Sequence, residues 1–169
     1  MKPIRSVLLG VFLILVTFSS VLYTACHKDK CNNVTCLNLG VCDGGSCLCD
    51  IGYEGSRCEL LSRDKFVATF NGHDLCNIND TNRYHQYSIT FLAIAAKPLE
   101  FEMTDFIGNM QDSAICTMQS NDSFIFSGSN NGTTYNGYGT LRLDTLKLSY
   151  KVQIDTNAYT CQWIGGSLW

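Results

Sequence analysis

Six of the ten cysteines fall between Cys31 and Cys58, at the spacing C-x4-C-x5-C-x4-C-x-C-x8-C. A segment this short cannot bury enough apolar surface to fold alone, so cross-links must hold it. Zinc is the competing cross-link. Structural zinc sites pair C-x2-4-C knuckles, often with histidine. Here the one close pair is the C-x-C of Cys47 and Cys49, and no histidine stands between Cys31 and Cys58. Disulfides are therefore expected, and with them an oxidising, extracytoplasmic compartment. Spacing alone does not choose among the connectivities that six cysteines allow. Gly44-Gly45, between Val41-Cys42-Asp43 and Ser46-Cys47-Leu48, suits the two-residue turn of a small hairpin.

The last interval reads Asp50-Ile51-Gly52-Tyr53-Glu54-Gly55-Ser56-Arg57 before Cys58, which contains a G-[YF]-x-G-x-x-C ending. With the spacing, this makes residues 31–59 resemble an EGF-like domain. The resemblance implies the pairs Cys31–Cys42, Cys36–Cys47 and Cys49–Cys58, and a role as a disulfide-stapled spacer. The calcium-binding subclass carries a D-x-[DN]-[EQ]-C cluster. Asp29-Lys30-Cys31 lacks the second acid, and Lys30 opposes a cation that wants several oxygens. No metal or cofactor is expected.

Residues 1–25 have the order of a secretory signal. Lys2 and Arg5 form a basic start, Val7 to Phe18 is almost wholly apolar, and Ser19, Ser20 and Ala25 lead to Cys26. A membrane-spanning helix from Val7 to Ala25 is the alternative, weakened by Thr17, Ser19, Ser20 and Thr24. Leu22-Tyr23-Thr24-Ala25-Cys26 looks like a bacterial lipobox, and residues 26–30 (Cys26-His27-Lys28-Asp29-Lys30) look like the tether of Bacteroidetes-type surface lipoproteins. The resemblance implies cleavage before Cys26, lipid on Cys26, attachment to a membrane through that lipid, and an outer-membrane or cell-surface location. It also implies an EGF-like module joined to a β-rich C-terminal domain.

Residues 62–169 change character. Leu146, Leu148, Tyr150, Val152 and Ile154 alternate with polar residues, which predicts a half-buried strand. Gly139 to Leu143 alternates too, with a turn at Asp144-Thr145. Further faces are Phe66, Ala68 and Phe70; Tyr87, Ile89 and Phe91; Leu99, Phe101 and Met103; Ala114, Cys116 and Met118; Phe124 to Phe126; and Tyr159, Cys161 and Trp163. Turn signals fall at Gly72, Asn79-Asp80, Gly108-Asn109, Asn121-Asp122 and Asn130-Asn131-Gly132. The expected class is all-β. An antiparallel meander of about eight strands closes into a barrel or packs as a sandwich. An up-and-down, lipocalin-like barrel is favoured, with Phe66-Val67-Ala68-Thr69-Phe70 as its opening segment.

If Cys26 carries lipid and six cysteines staple the module, Cys76, Cys116 and Cys161 remain. First and last strands are neighbours in a closed barrel, which makes Cys76 and Cys161 partners. Cys116, mid-strand on an alternating face, is then a buried free thiol. His73-Asp74 with Cys76 reads as a loop histidine beside a paired cysteine rather than a metal corner.

No G-x-S-x-G elbow, H-E-x-x-H helix or G-x-x-x-x-G-K-[ST] loop occurs, so no enzyme activity is expected. Removing Lys2 and Arg5 leaves 10 basic against 15 acidic residues, a net charge of −5, with no basic stripe for nucleic acid. Asp112-Ser113-Ala114 and Asp144-Thr145-Leu146 resemble short O-glycan acceptor motifs. The chain is expected to be a surface-anchored binding, adhesion or structural module whose partner is a protein, glycan or small ligand. The alternative is a small-molecule carrier with an apolar pocket inside the barrel. The interior volume separates the two.

Overall fold

The computed structural model describes residues 30–78, 81–106, 113–154 and 156–167. The leader, Cys26, the tether through Asp29, and the turn signals at Asn79-Asp80 and Gly108-Asn109 lie outside the described residues.

The N-terminal module is built from cross-links and short hairpins. Strands β1 (Val41–Asp43) and β2 (Ser46–Leu48) pair antiparallel around Gly44-Gly45. Both glycines have positive φ, +58° and +96°, as a tight primed turn requires. Strands β3 (Tyr53–Glu54) and β4 (Leu60–Leu61) pair next. The disulfides join Cys31–Cys42, Cys36–Cys47 and Cys49–Cys58, spanning 11, 11 and 9 residues. Of the module's residues, Cys58 stands out as fully buried and apolar, consistent with a unit held by links rather than by a core.

Eight strands follow: β5 (Thr69–Ile78), β6 (Thr81–Ala93), β7 (Glu100–Thr104), β8 (Ser113–Ser120), β9 (Ser123–Asn130), β10 (Thr133–Arg142), β11 (Thr145–Ile154) and β12 (Asn157–Ser167). Each pairs antiparallel with the next, and β12 closes on β5 to make a barrel. Each barrel strand is paired on both sides, β6 with β7 only over Thr90 to Ala93. A disulfide joins Cys76 to Cys161, which face each other in the β5–β12 register.

Inward positions follow the two-residue period. They are Phe70 and Asp74 on β5, Ile89 and Phe91 on β6, Phe101 and Met103 on β7, and Ala114, Cys116 and Met118 on β8. Phe124 and Phe126 follow on β9, Tyr135 and Leu141 on β10, Leu146, Leu148, Tyr150 and Val152 on β11, and Cys161 and Trp163 on β12. Glycine makes room where a ring crosses the interior. A Cβ at Gly165 would overlap Trp163 Cη2, and one at Gly139 would overlap Phe124.

The lower end of the barrel carries the β6–β7, β8–β9 and β10–β11 turns, and the chain enters there. A 3-10 turn, Ser62–Lys65, precedes Phe66, which plugs that end. Phe66 stacks on Phe101 at 5.3 Å and meets Phe124 edge-on at 5.2 Å. Arg63 is buried beside it. Its Nη1 donates to the carbonyls of Ile94 (2.6 Å), Glu100 (3.1 Å) and Lys97, so one guanidinium holds the whole β6–β7 loop.

The module docks on this same end. Gly52 N–H donates to Asn121 Oδ1 and Asn121 Nδ2 donates to the Tyr53 carbonyl, each at 3.1 Å. Lys65 Nζ bridges Glu54 (3.0 Å) and Asp122 (2.6 Å). Gly52, at φ +91°, leaves the space that the Leu99 side chain fills.

The first barrel strand differs from expectation. It runs from Thr69, not Phe66, and continues through Gly72 to Ile78. Gly72 is not a turn: its missing Cβ would meet Trp163 Cζ2 at 2.6 Å. His73, Asp74 and Cys76 therefore lie within a strand rather than in a loop. Leu99 precedes β7 and is absorbed by the module contact.

Candidate functional site

Two features stand apart from ordinary core: a polar cluster inside the barrel and apolar surface outside it. The cluster begins with Asp74, 3% exposed on the inner face of β5. Its Oδ2 accepts from the Tyr150 hydroxyl at 2.9 Å and from the Tyr87 hydroxyl at 3.3 Å. The two hydroxyls are 3.4 Å apart. Burial first, then Tyr87 and Asp74 beside it, push the Tyr150 hydroxyl well above its ordinary range, so it stays protonated and donates. Oδ1 of Asp74 has no hydrogen-bond partner. Neither has Nε1 of Trp163, which faces Asp74 across the β12–β5 register and is fully buried.

Below this cluster the interior is filled with rings. Phe66, Phe91, Phe101 and Phe124 meet one another at centroid distances of 5.0–5.7 Å. Above them Phe106, from the segment after β7, meets Phe126 and Tyr135 at 5.2 Å and Tyr150 at 4.8 Å. Phe66, Phe70, Phe91, Phe101, Tyr150 and Trp163, expected inside, are buried, and Tyr87 is half-buried.

Outside, Leu39, Val41 and Leu48 on the module are 87%, 65% and 60% exposed. Val41 and Leu48 are register partners across the β1–β2 hairpin. Leu39 sits at a turn where both it and Asn38 have positive φ, held by Asn38 Nδ2 donating to the Cys58 carbonyl at 2.7 Å. A leucine in the left-handed region at an exposed turn is a strained placement. On the barrel's outer face Tyr138 projects from β10 between two shallow grooves. One, about 390 Å³, is lined by Asn136, Lys151, Thr160 and Gln162, and the other, about 440 Å³, by Ile115, Thr117, Ile125 and Ser127.

The structure brings together Cys76 and Cys161 and leaves Cys116 a buried free thiol. Burial pushes that thiol far above its usual range, which removes its nucleophilic form. Among the described residues, no three or more His, Cys, Asp or Glu side chains group as metal ligands. Four disulfides make this an extracytoplasmic protein. Comparison with family models, with curated proteins and with solved structures returns no match to this chain.

Sequence reasoning missed Asp74 as an interior residue, and missed Phe106, Tyr135 and Arg63. Asp74 shares the parity of Phe70 and Cys76, which is the signal that would have placed it inside.

Proposed function

We propose that this chain is a surface-anchored lipoprotein of EGF-like and β-barrel architecture that works by contact, as a binding or adhesion module. The observation that carries this reading is where the apolar surface lies. Among the described residues, the packed rings of Phe66, Phe91, Phe101 and Phe124 occupy the lower barrel interior, where a carrier's apolar ligand would need a cavity of several hundred Å³. Leu39, Val41 and Leu48 instead remain outside, on a unit that disulfides make rigid. Exposed apolar patches on a stable scaffold mark interaction sites. The module also sits close behind Cys26, the proposed lipid attachment, and docks on the barrel through Asn121 and Lys65. The EGF-like unit and the barrel are thereby presented as one rigid head.

The test has two arms. Intact-mass analysis of membrane-extracted full-length protein should show cleavage before Cys26 and an acyl-bearing N-terminus. An unmodified Cys26 or a retained Met1 refutes anchoring. Cells carrying the full chain should be retained on mucin- or collagen-coated surfaces more than cells carrying the Cys26→Ser variant. The Leu39→Ser, Val41→Ser double variant, with its disulfides intact, should lose that advantage. Equal retention of all three refutes the contact reading.

A further inference from the structure

The interior polar cluster has a chemistry that adhesion does not use. Asp74 is the buried carboxylate of the barrel. Among the described residues, no cationic side chain forms an ion pair with it. Buried charges are ordinarily paired, because an uncompensated one is costly in an apolar interior. Two hydroxyls satisfy Oδ2. The Cys76 sulfur, 3.8 Å from the same oxygen, is in a disulfide and has no proton to give. Oδ1 is an orphan acceptor, and Trp163 Nε1, opposite in register, is an orphan donor. Buried polar atoms are ordinarily paired, and Ser62 Oγ, Arg63 Nε and Ser167 Oγ are also without a hydrogen-bond partner among the described residues. Here an acceptor and a donor stand on facing residues of neighbouring strands.

The surroundings narrow the partner. The Tyr87 and Tyr150 hydroxyls meet the carboxylate, Trp163 stands opposite it in register, and Phe106 packs against Tyr150. A buried carboxylate with an open acceptor favours a cation over a neutral group. Access is short. His85 is the β6 register partner of Asp74, on the same side of the sheet, and it is exposed. From Asp74 to His85 the inner face passes from core to solvent in one strand spacing, about 4.8 Å.

We infer that the upper interior binds a small primary amine that also carries an oxygen acceptor, an amino alcohol in its simplest form. The ammonium donates to Asp74 Oδ1 and neutralises it. The ligand oxygen accepts from Trp163 Nε1–H. This site is independent of the anchoring and adhesion reading, and it stands or falls without it.

The experiment is a titration of the oxidised protein at neutral pH, followed by the Trp163 indole N–H and the backbone amides of His73, Asp74 and Leu75 in proton–nitrogen correlation spectra. The probe is 1-amino-2-propanol, compared with n-propylammonium and 1,2-propanediol. The amino alcohol should give a saturable shift of the indole resonance. The diol, lacking the charge, should bind at least tenfold more weakly. Asp74→Asn should weaken the amino alcohol at least tenfold. Trp163→Phe keeps the ring and removes the donor; it should weaken the amino alcohol severalfold and leave n-propylammonium unchanged, read on the backbone amides. If Asp74→Asn does not fold, the Trp163→Phe comparison and the diol comparison still decide. No saturable shift, equal binding of diol and amine, or full binding to a folded Asp74→Asn variant overturns the site.

Discussion

Replacing both seam cysteines, Cys76→Ala with Cys161→Ala, isolates what closes this barrel. The link joins residues 85 apart in sequence. In the chain-entropy model, a loop of that length restricts the unfolded chain by about 15 cal/mol/K, or about 4.6 kcal/mol at 25 °C. The 9- to 11-residue links of the module are worth about 3 kcal/mol each on the same scale. The β5–β12 ladder remains in the variant, with Phe70 to Asn77 paired against Ser167 to Thr160. The folded barrel therefore stays closed, and the loss falls on the unfolded side of the equilibrium. Native stabilities are about 5–15 kcal/mol, so the variant should remain folded but marginal. At about 4–8 °C per kcal/mol for a domain near this size, melting should fall by roughly 20–35 °C. Urea unfolding of both proteins, module disulfides intact, measures the difference. Cys116→Ala is the control, because removing one buried sulfur costs about 1 kcal/mol. A seam loss no larger than the Cys116 loss would refute the reasoning. It would mean that the unfolded chain already keeps β5 and β12 together.

Arg63→Met should destabilise by about 3 kcal/mol, since Nη1 has two protons shared among three carbonyls and charge-assisted bonds contribute about 1.5–3 kcal/mol each; hydrogen exchange of residues 94–99 should quicken, and unchanged exchange would refute the hub. Burial lowers the Lys65 pKa, but Asp122 and Glu54 outweigh it and leave it raised above its ordinary 10.5. Its contribution is therefore complete below pH about 10 and lost as pH rises through the raised folded value. The contribution is a few tenths of a kcal/mol for so exposed a pair, and Lys65→Met should remove that alkaline dependence from the unfolding curve. Gly165→Ala should cost about 1–3 kcal/mol by overpacking against Trp163, visible as a changed near-ultraviolet dichroism of the indole.

The strands were legible where one face is buried and the other wet. Leu146 to Val152 alternates because β11 has core on one side and water on the other, while Ile154, expected on the same face, is exposed at the strand's end. Once β5 and β12 are neighbours, the pairing of Cys76 with Cys161 follows from position. The opening of the barrel was less legible. Glycine and aspartate are poor strand formers, so Gly72 and Asp74 read locally as a turn. In the barrel both are answers to tertiary demands, room for an indole and a partner for two hydroxyls. Phe66 carries the parity of the strand that follows, yet it caps the 3-10 turn and plugs the lower end. No pattern in the chain distinguishes those two uses of a phenylalanine.

Arg63 and Asp74 show why interior charges are the hardest residues to read from sequence. Each is a charged residue of a type usually found at the surface, and each is buried. Three carbonyls of one loop converge on Arg63 Nη1, which makes its role structural although its Nε has no hydrogen-bond partner among the described residues. Asp74 is satisfied on one oxygen and not on the other. What sets Asp74 apart from Arg63 is that an orphan donor, Trp163 Nε1, stands on the residue opposite it in register. Removing Arg63 breaks contacts that already exist, so the effect is on folding. Changing Asp74 to Asn keeps the acceptor for Tyr87 and Tyr150 and removes the charge that would meet a ligand. Its signature should therefore be a larger change in amine binding than in unfolding free energy. The reverse ratio would make Asp74 a second Arg63, a structural group with no ligand of its own.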